Sequence, residues 1–477
     1  MVSSQDTIVA IATAWGEAGI AIVRLSGPSA VELSKSVLRF KAGSEFPPPR
    51  LMRLASTIGA DGSVTDQVLA VYFKSPKSYT GEDVVEIHTH GGTLAAQLCV
   101  ESLIRKGARP AEPGEFTKRA FLNGRIDLSQ SESVLGIIRS RSEEALRAAT
   151  RTLSGELSAF VSDIREELLA LQSALEVELD FPEEGFSYPY LHKSDEEWLG
   201  SISTLRMSLD DLRDRCSVGL LLREGIRVAL SGRPNVGKSS LLNALLKQAR
   251  SIVTAIPGTT RDVIEETVTW QGVPIRLVDT AGLRLLPSSA GSLRAQDEIE
   301  AMGIERALDE LRRADVCIWV LDASKPLGDE DKAYLEDLRD KDYIVVLNKS
   351  DLIAADHPPA VSEEDIRATS PEEMPAVLSI SAKRGDGLEL LKDAILSMAK
   401  GSGALNSGLN VTARQFSEVS EALSCLTSAE AAMAEKNGQD IAAGLLGSAR
   451  ECLERLLGLS YDDALLDSIF SRFCVGK

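Results

Sequence analysis

Gly232-Arg233-Pro234-Asn235-Val236-Gly237-Lys238-Ser239 fits the pattern G-x-x-x-x-G-K-[ST]. An apolar run, Ile226 to Leu230, precedes it, and a helical pattern, Ser239 to Leu246, follows. Strand, glycine-bearing loop and helix in that order make a phosphate-binding loop. The glycines let backbone amides turn toward phosphates, and the helix N-terminus adds positive potential. Lys238 would reach the β and γ phosphates, and Ser239 would bind Mg²⁺ through its hydroxyl. Val236, Gly237 and Ser240 belong to the same cradle. Alone, the string says only that phosphates bind.

Three further strings follow in guanine-nucleotide order: Asp279-Thr280-Ala281-Gly282, Asn348-Lys349-Ser350-Asp351 and Ser381-Ala382-Lys383. Asp279, at a strand end, would hold the metal's water shell, and Gly282 can offer an amide to the γ-phosphate. Asp351 can accept from the guanine N1–H and the exocyclic amine. Adenine lacks that donor pair, so this carboxylate selects GTP over ATP. Asn348 and Lys349 flank the same loop, and Ser381, Ala382 and Lys383 would cover the base with backbone amides. Thr260 lies in Pro257-Gly258-Thr259-Thr260-Arg261-Asp262, where a switch loop belongs, and its hydroxyl can complete the Mg²⁺ shell. Together the strings read as a GTP hydrolase.

Leu283 stands where a Ras-like enzyme places the glutamine that orients the attacking water. Hydrolysis must then be arranged differently. Asn235 can supply an oxygen to a monovalent cation, completed by carbonyls around Thr254 and Ile256. Potassium there would do an arginine finger's electrostatic work. The competing reading of Asn235 is an amide that stabilises its own loop.

At 477 residues the chain should hold more than one domain, and 44% apolar content is enough for sizeable cores. The apolar runs are too short to span a membrane, and Met-Val-Ser-Ser-Gln-Asp is no secretion signal. A cytoplasmic protein is expected. The six cysteines form no C-x-x-C pair and no cluster with histidine, so neither a disulfide framework nor structural zinc is expected. A net charge of −19 opposes nucleic-acid binding by electrostatics alone. Any RNA contact must be local or shared with a partner.

Residues 1–119 read as mixed strand and helix, with apolar runs at Thr7 to Ala12, Gly19 to Leu25, Val68 to Phe73 and Val84 to His88. From about 129 to 220 the spacing turns helical: Leu157, Val161, Ile164, Leu168, Leu171 and Leu175 recur at three- and four-residue steps. Residues 226 to about 398 alternate strand and helix, the rhythm of a doubly wound sheet, with an edge hairpin turned at Gln271-Gly272. The stretch after Gly401-Ser402-Gly403 is helical again. The economical reading packs it on the helices of 129–220, making the GTPase module an insertion within one helical domain. The alternative is a separate C-terminal bundle. The expected division is 1–119, 120–222, 223–399 and 400–477: an α+β N-terminal domain, an all-α domain in two parts, and an inserted α/β P-loop GTPase.

Further strings point to a family. Tyr79-Thr80-Gly81-Glu82-Asp83, Pro113-Gly114-Glu115-Phe116-Thr117, Arg119-Ala120-Phe121-Leu122-Asn123, Asp127-Leu128 and the terminal Phe473-Cys474-Val475-Gly476-Lys477 resemble the MnmE (TrmE) family of tRNA-modification GTPases over nearly the whole chain. The resemblance implies a folate-binding N-terminal domain, a homodimer formed through it, and a flavoprotein partner, MnmG, in a heterotetramer or larger complex. It implies installation of an aminomethyl or carboxymethylaminomethyl group at C5 of the wobble uridine (position 34) of tRNA. The carbon would come from 5,10-methylene- or 5-formyl-tetrahydrofolate. The folate site falls on Arg24, Glu86, Arg125 and Lys477, where relatives often carry lysine in place of Arg125. The K⁺ shell falls on Asn235, Thr254, Ile256 and Thr259, around Ala255, where relatives often have an acidic residue. The water-orienting glutamate maps to Glu300, with Glu298 as the alternative. Cys474 could act on the folate carbon or simply pack the tail. His88 and His90 read as structural. A ribosome-assembly GTPase of the Era-like kind would share every nucleotide motif, but it predicts a basic RNA-binding appendage that this acidic chain lacks.

Overall fold

Short apolar runs in the first 110 residues pair into a seven-stranded sheet of order β3-β4-β5-β6-β2-β1-β7. Its strands are β1 (Ile8–Ile11), β2 (Ile20–Ser26), β3 (Leu38–Phe40), β4 (Arg53–Ile58), β5 (Val64–Phe73), β6 (Val84–His90) and β7 (Arg109–Pro110). The computed structural model describes residues 6–41, 45–59, 61–180, 194–249, 265–279, 310–328, 331, 343–353, 360–361, 365–366, 376–400, 408–435 and 438–477. Two compact units divide the chain. One comprises Met1–Leu135, Thr152–Leu209 and Ser417–Lys477, and the other Gly136–Arg151 and Asp210–Phe416.

In the first unit, strand alternation sorts the two faces of the sheet. Val23, Leu25, Val85 and Ile87 are buried in one cluster with residues of helices α1 (Ala30–Val37) and α2 (Thr93–Arg105). Their neighbours Arg24, Glu86 and His88 belong to the opposite face. Helix α3 (Glu115–Leu122) buries Phe116 with Ile8, Ala10 and Ala111. The start of that helix is tied down by charge. Arg119 meets Asp6 at 2.6 Å, Glu115 at 3.0 Å and Glu82 at 3.2 Å, and Arg109 pairs with Asp6 at 2.7 Å. Burial alone would raise the Asp6 and Glu115 carboxyls; the two guanidiniums outweigh it and hold both below the ordinary carboxylate range.

The helical pattern resolves into α4 (Leu128–Arg139), α5 (Glu143–Leu153), α6 (Glu156–Asp180) and α7 (Asp195–Glu224). On α6 the buried residues are Leu157, Val161, Ile164, Leu168, Leu171 and Leu175, the stripe that the spacing predicts.

The second unit contains a six-stranded sheet of order β13-β12-β11-β8-β10-β9. It is built from β8 (Ile226–Ser231), β9 (Glu265–Trp270), β10 (Val273–Asp279), β11 (Val316–Asp322), β12 (Tyr343–Asn348) and β13 (Ala376–Ser379). All neighbours are parallel except β9 and β10, the predicted hairpin. Val228, Leu230, Ile318, Val320 and Ile344 pack with α8 (Lys238–Ala249) and α9 (Leu388–Lys400) on one face. Ala229, Cys317, Trp319 and Val345 fill the other. Both faces are covered, as parallel sheets require, and the doubly wound fold is observed.

The chain ends in α10 (Ala413–Met433), α11 (Gln439–Leu457) and α12 (Asp463–Phe470). Within the first unit α11 packs along α6, where Arg165 pairs with Glu454 at 2.8 Å. From α12, Leu466 and Phe470 join Phe121 and Leu128 in one core, with Phe473 just beyond. Four cysteines are buried, Cys425 is half-buried and Cys474 is exposed. Among the described residues no helix is long and apolar enough to cross a membrane.

Candidate functional site

Parallel strands present their C-terminal ends on one edge, and loops leaving that edge carry the nucleotide motifs. The loop after β8 turns through Asn235 at φ 65° and Gly237 at φ 102°. A Cβ on Gly237 would lie 2.3 Å from Nδ2 of Asn348, so only glycine fits there. Lys238 is buried, and its ammonium donates to the carbonyls of Gly232 (2.6 Å) and Arg233 (2.8 Å). That closes the loop into a ring. Ser239 and Ser240 follow in the first turn of α8, both exposed.

Asn348 joins the loops. Its Nδ2 donates to the Val236 carbonyl at 2.9 Å, and its Oδ1 accepts from the Ala382 amide at 3.1 Å. Lys349 Nζ donates to the Asn235 carbonyl at 2.7 Å. Asp351 Oδ1 accepts from the buried Ser381 hydroxyl at 2.7 Å, whose oxygen also accepts from the Arg384 amide. The Ser381 hydrogen bond holds the Asp351 carboxyl below its ordinary range, helped by the charges of Arg384 and Lys383. Lys383 is exposed beside it. The site therefore offers an anionic acceptor where a base donor pair would sit, and a backbone cradle where phosphates would sit. GTP fits this donor and acceptor set.

Asp279 ends β10, opposite Leu230 of β8, so its backbone lies next to the start of the phosphate loop. Thr254, Ala255, Ile256, Pro257, Gly258, Thr259, Thr260, Thr280, Ala281, Gly282, Leu283, Glu298 and Glu300 lie outside the described residues. Motif reading missed two neighbours. Arg233 forms a two-pronged ion pair with the buried Asp331, through Nε at 2.6 Å and through its terminal nitrogen. Asp322, at the end of β11, meets Lys349 at 2.7 Å. A carboxylate closing an apolar strand was the available signal for Asp322.

The first unit brings together a second group of predicted residues. Arg24 on β2 and Glu86 on β6 are direct cross-strand partners, with both Nε and a terminal nitrogen of Arg24 2.9 Å from Glu86 Oε1. The guanidinium lies over the rings of Tyr79 (5.4 Å) and Phe116 (5.7 Å). His88 Nε2 is 3.6 Å from Glu86 Oε2 and has no hydrogen-bond partner among the described residues. The end of the chain docks here. Val475 bridges Pro113, and the Lys477 carbonyl accepts from the Phe116 amide at 3.2 Å. Gly476 sits at φ 96°, where a Cβ would lie 2.2 Å from the Ile11 carbonyl. Burial, then the charge of Arg24, lowers the Lys477 ammonium's pKa, while Glu86 opposes the shift. Arg24, Glu86 and Lys477 thus share one site. Arg125 is exposed and lies against Gly81, in the loop that carries Tyr79.

Two family models match this chain: "GTP-binding protein TrmE N-terminus" over residues 7–125 and "MnmE helical domain" over residues 128–474. The tRNA modification GTPase MnmE of Thermotoga petrophila is 40% identical over 478 residues, covering 99% of this chain and 100% of that protein. The MnmE of Moorella thermoacetica is 41% identical over 480 residues, with 99% and 100% covered. That of Clostridioides difficile is 40% identical over 479 residues, with 99% of both covered. With relatives aligned end to end and a GTP-binding geometry at the strand edge, the chain belongs to the MnmE (TrmE) family of tRNA modification GTPases.

Proposed function

We propose that this chain couples GTP hydrolysis to tRNA modification. With a flavoprotein partner of the MnmG kind, it adds an aminomethyl or carboxymethylaminomethyl group to C5 of the wobble uridine. The observation that carries this reading is the convergence of Arg24, Glu86 and the Lys477 tail on one site, with Arg24 over Tyr79 and the Lys477 main chain held by the Phe116 amide. A pterin offers a paired donor edge that a carboxylate can accept, and among the described residues the ion-pair partner of Glu86 Oε2 is His88 Nε2, at 3.6 Å. The glutamyl carboxylates of a folate suit Arg24, Lys477 and Arg125. 5,10-Methylene-tetrahydrofolate, or its 5-formyl form, would supply the one-carbon unit.

In the GTPase unit, Ser239, Thr260 and Asp279 would hold Mg²⁺. Asn235, Thr254, Ile256 and Thr259 would hold K⁺, whose charge stands in for an arginine finger. Glu300 would orient water, since Leu283 cannot. Lys238 is already folded onto its loop and would turn its charge to the phosphates. Hydrolysis is expected to run faster in potassium than in sodium at equal ionic strength; equal rates would remove the cation from this account. Turnover that survives Glu300→Ala would pass the role of Glu300 to Glu298 or another group.

A second copy of this chain suits the open face of the N-terminal sheet. Leu54 and Leu69 are partners across β4 and β5, yet are 56% and 38% exposed, with Met52 and Ile20 exposed on nearby segments. Such a face favours burial. Sedimentation at the monomer mass would contradict the dimer. The net charge of −19 leaves tRNA binding to local contacts or to the flavoprotein, and the reaction belongs in the cytoplasm.

Reconstitution with the flavoprotein, tRNA, GTP and a folate labelled in its one-carbon group tests the reading. GTP-dependent label in tRNA is expected. Modified but unlabelled tRNA would remove the folate donor.

A further inference from the structure

We propose that Asp322 is a positioning residue for guanine-nucleotide binding: its carboxylate holds the Lys349 ammonium on the carbonyl of Asn235, locking the base-reading loop to the phosphate loop. The proposal rests on the reading of Asn348–Asp351 as the guanine loop, and the test below separates the two.

Asp322 is the last residue of β11, the strand between β8 and β12. It pairs in register with Asn348. The loops leaving β8 and β12 therefore rise on either side of its side chain, which is 6% exposed. The two carboxylate oxygens have separate tasks. Oδ1 accepts from the Ser324 amide (3.1 Å) and the Ser324 hydroxyl (2.6 Å), capping the turn after the strand. Oδ2 meets Lys349 Nζ at 2.7 Å. Among the described residues, Lys325 is a second cation on Asp322, at 4.0 Å and 71% exposed, so it does not replace Lys349, and Arg233 is engaged with Asp331.

Lys349 Nζ spends a second hydrogen on the Asn235 carbonyl, also at 2.7 Å. Both residues have left-handed backbones, φ 66° at Lys349 and φ 65° at Asn235. A lysine in that region needs outside support, and an asparagine, which tolerates it better, is steadied by it. One ammonium supplies it to both loops, and Asp322 holds that ammonium. Burial would raise the Asp322 carboxyl, but the bonds from Lys349 and Ser324 outweigh it and keep it below the ordinary range. The charge is therefore present near neutral pH. Removing the carboxylate leaves a long, half-buried lysine whose remaining acceptor among the described residues is the neutral Asn235 carbonyl. Its stem is then free to leave the place where it would lie along a base, and Asn235 loses the restraint on its carbonyl.

The competing role is a plain strand-end cap, in which Asp322 only orders the turn at Ser324. Titration of the full-length chain with a fluorescent N-methylanthraniloyl GDP distinguishes the two. Asp322→Asn should weaken binding about tenfold, and Lys349→Met by a similar factor, a coupling within the range for residues in one ion-pair network. The double variant should bind no worse than Lys349→Met alone, and Asp322→Glu should recover part of the loss. Ser324→Ala, which removes the hydroxyl cap and keeps the ion pair, should bind as the parent does. Parent-like binding by Asp322→Asn, multiplying losses in the double variant, or a Ser324→Ala loss equal to that of Asp322→Asn would overturn the proposal. Unchanged binding by Lys349→Met would instead overturn the reading of the guanine loop. If Asp322→Asn does not fold, the Ser324→Ala and Asp322→Glu arms still decide between cap and positioning.

Discussion

Replacing Asp351 with asparagine is expected to convert the chain from a guanine- to a xanthine-nucleotide binder, with GTP affinity falling by about a thousandfold or more. Guanine presents two donors on one edge, and a carboxylate accepts both. Xanthine presents one donor and one carbonyl there, which match the oxygen and the NH₂ of an amide. In this chain the carboxylate is held for the task. Ser381, itself buried, donates to Oδ1 at 2.7 Å and keeps the group ionised. A buried polar edge left without its partner is what makes the penalty large. Competitive titration with GTP and XTP checks the exchange. A variant that keeps its preference for GTP would show that some other group reads the base.

Removal of Lys477 should cut folate binding by about a hundredfold, the scale for losing one partner of a half-buried charge cluster. It should leave GTP hydrolysis by the isolated chain unchanged. Lys477 provides two things at once: a half-buried ammonium that feels the charges of Arg24 and Glu86, and a main-chain oxygen that accepts from the Phe116 amide. Lys477→Ala keeps the backbone bond and loses the charge, so it should account for most of the effect. Equilibrium dialysis with a reduced folate gives the readout. Equal binding with and without Lys477 would leave the Arg24–Glu86 pair as an ordinary cross-strand ion pair. Cys474 is separable from this, because it is exposed and its carbonyl, not its thiol, accepts from the Gly114 and Lys477 amides.

The nucleotide loops were legible because the chemistry of phosphate and guanine fixes residue type and spacing, and because their strands are buried on both faces. Cys317 to Leu321 and Ile344 to Leu347 are unbroken apolar runs for that reason. Strand β4 was not legible. In Arg53–Ile58 the apolar Leu54 is 56% exposed and the polar Thr57 is 3% exposed, so the alternation runs against the burial. Periodicity marked the stripe on α6 but not the interruptions between α4, α5 and α6, since a three- and four-residue rhythm passes through a short turn unchanged. The Arg24–Glu86–Lys477 site could not be read from spacing at all. It exists because β2 and β6 pair in one register and because Gly476 lets the tail lie against Ile11. Only the family resemblance named those residues together. Asp322 escaped because a single aspartate after an apolar run also suits a turn. Its partner becomes visible only when β11 lies between β8 and β12.

The most direct test is mass spectrometry of tRNA nucleosides from cells with and without this chain. If GTP hydrolysis by this chain drives wobble modification, the C5 substituent of the wobble uridine disappears without it. The substituent should return with the intact chain and fail to return with an Asp279→Asn variant that still folds. Unchanged wobble uridine in cells lacking the chain would contradict this reading, leaving a GTPase whose folate-like site serves some other substrate.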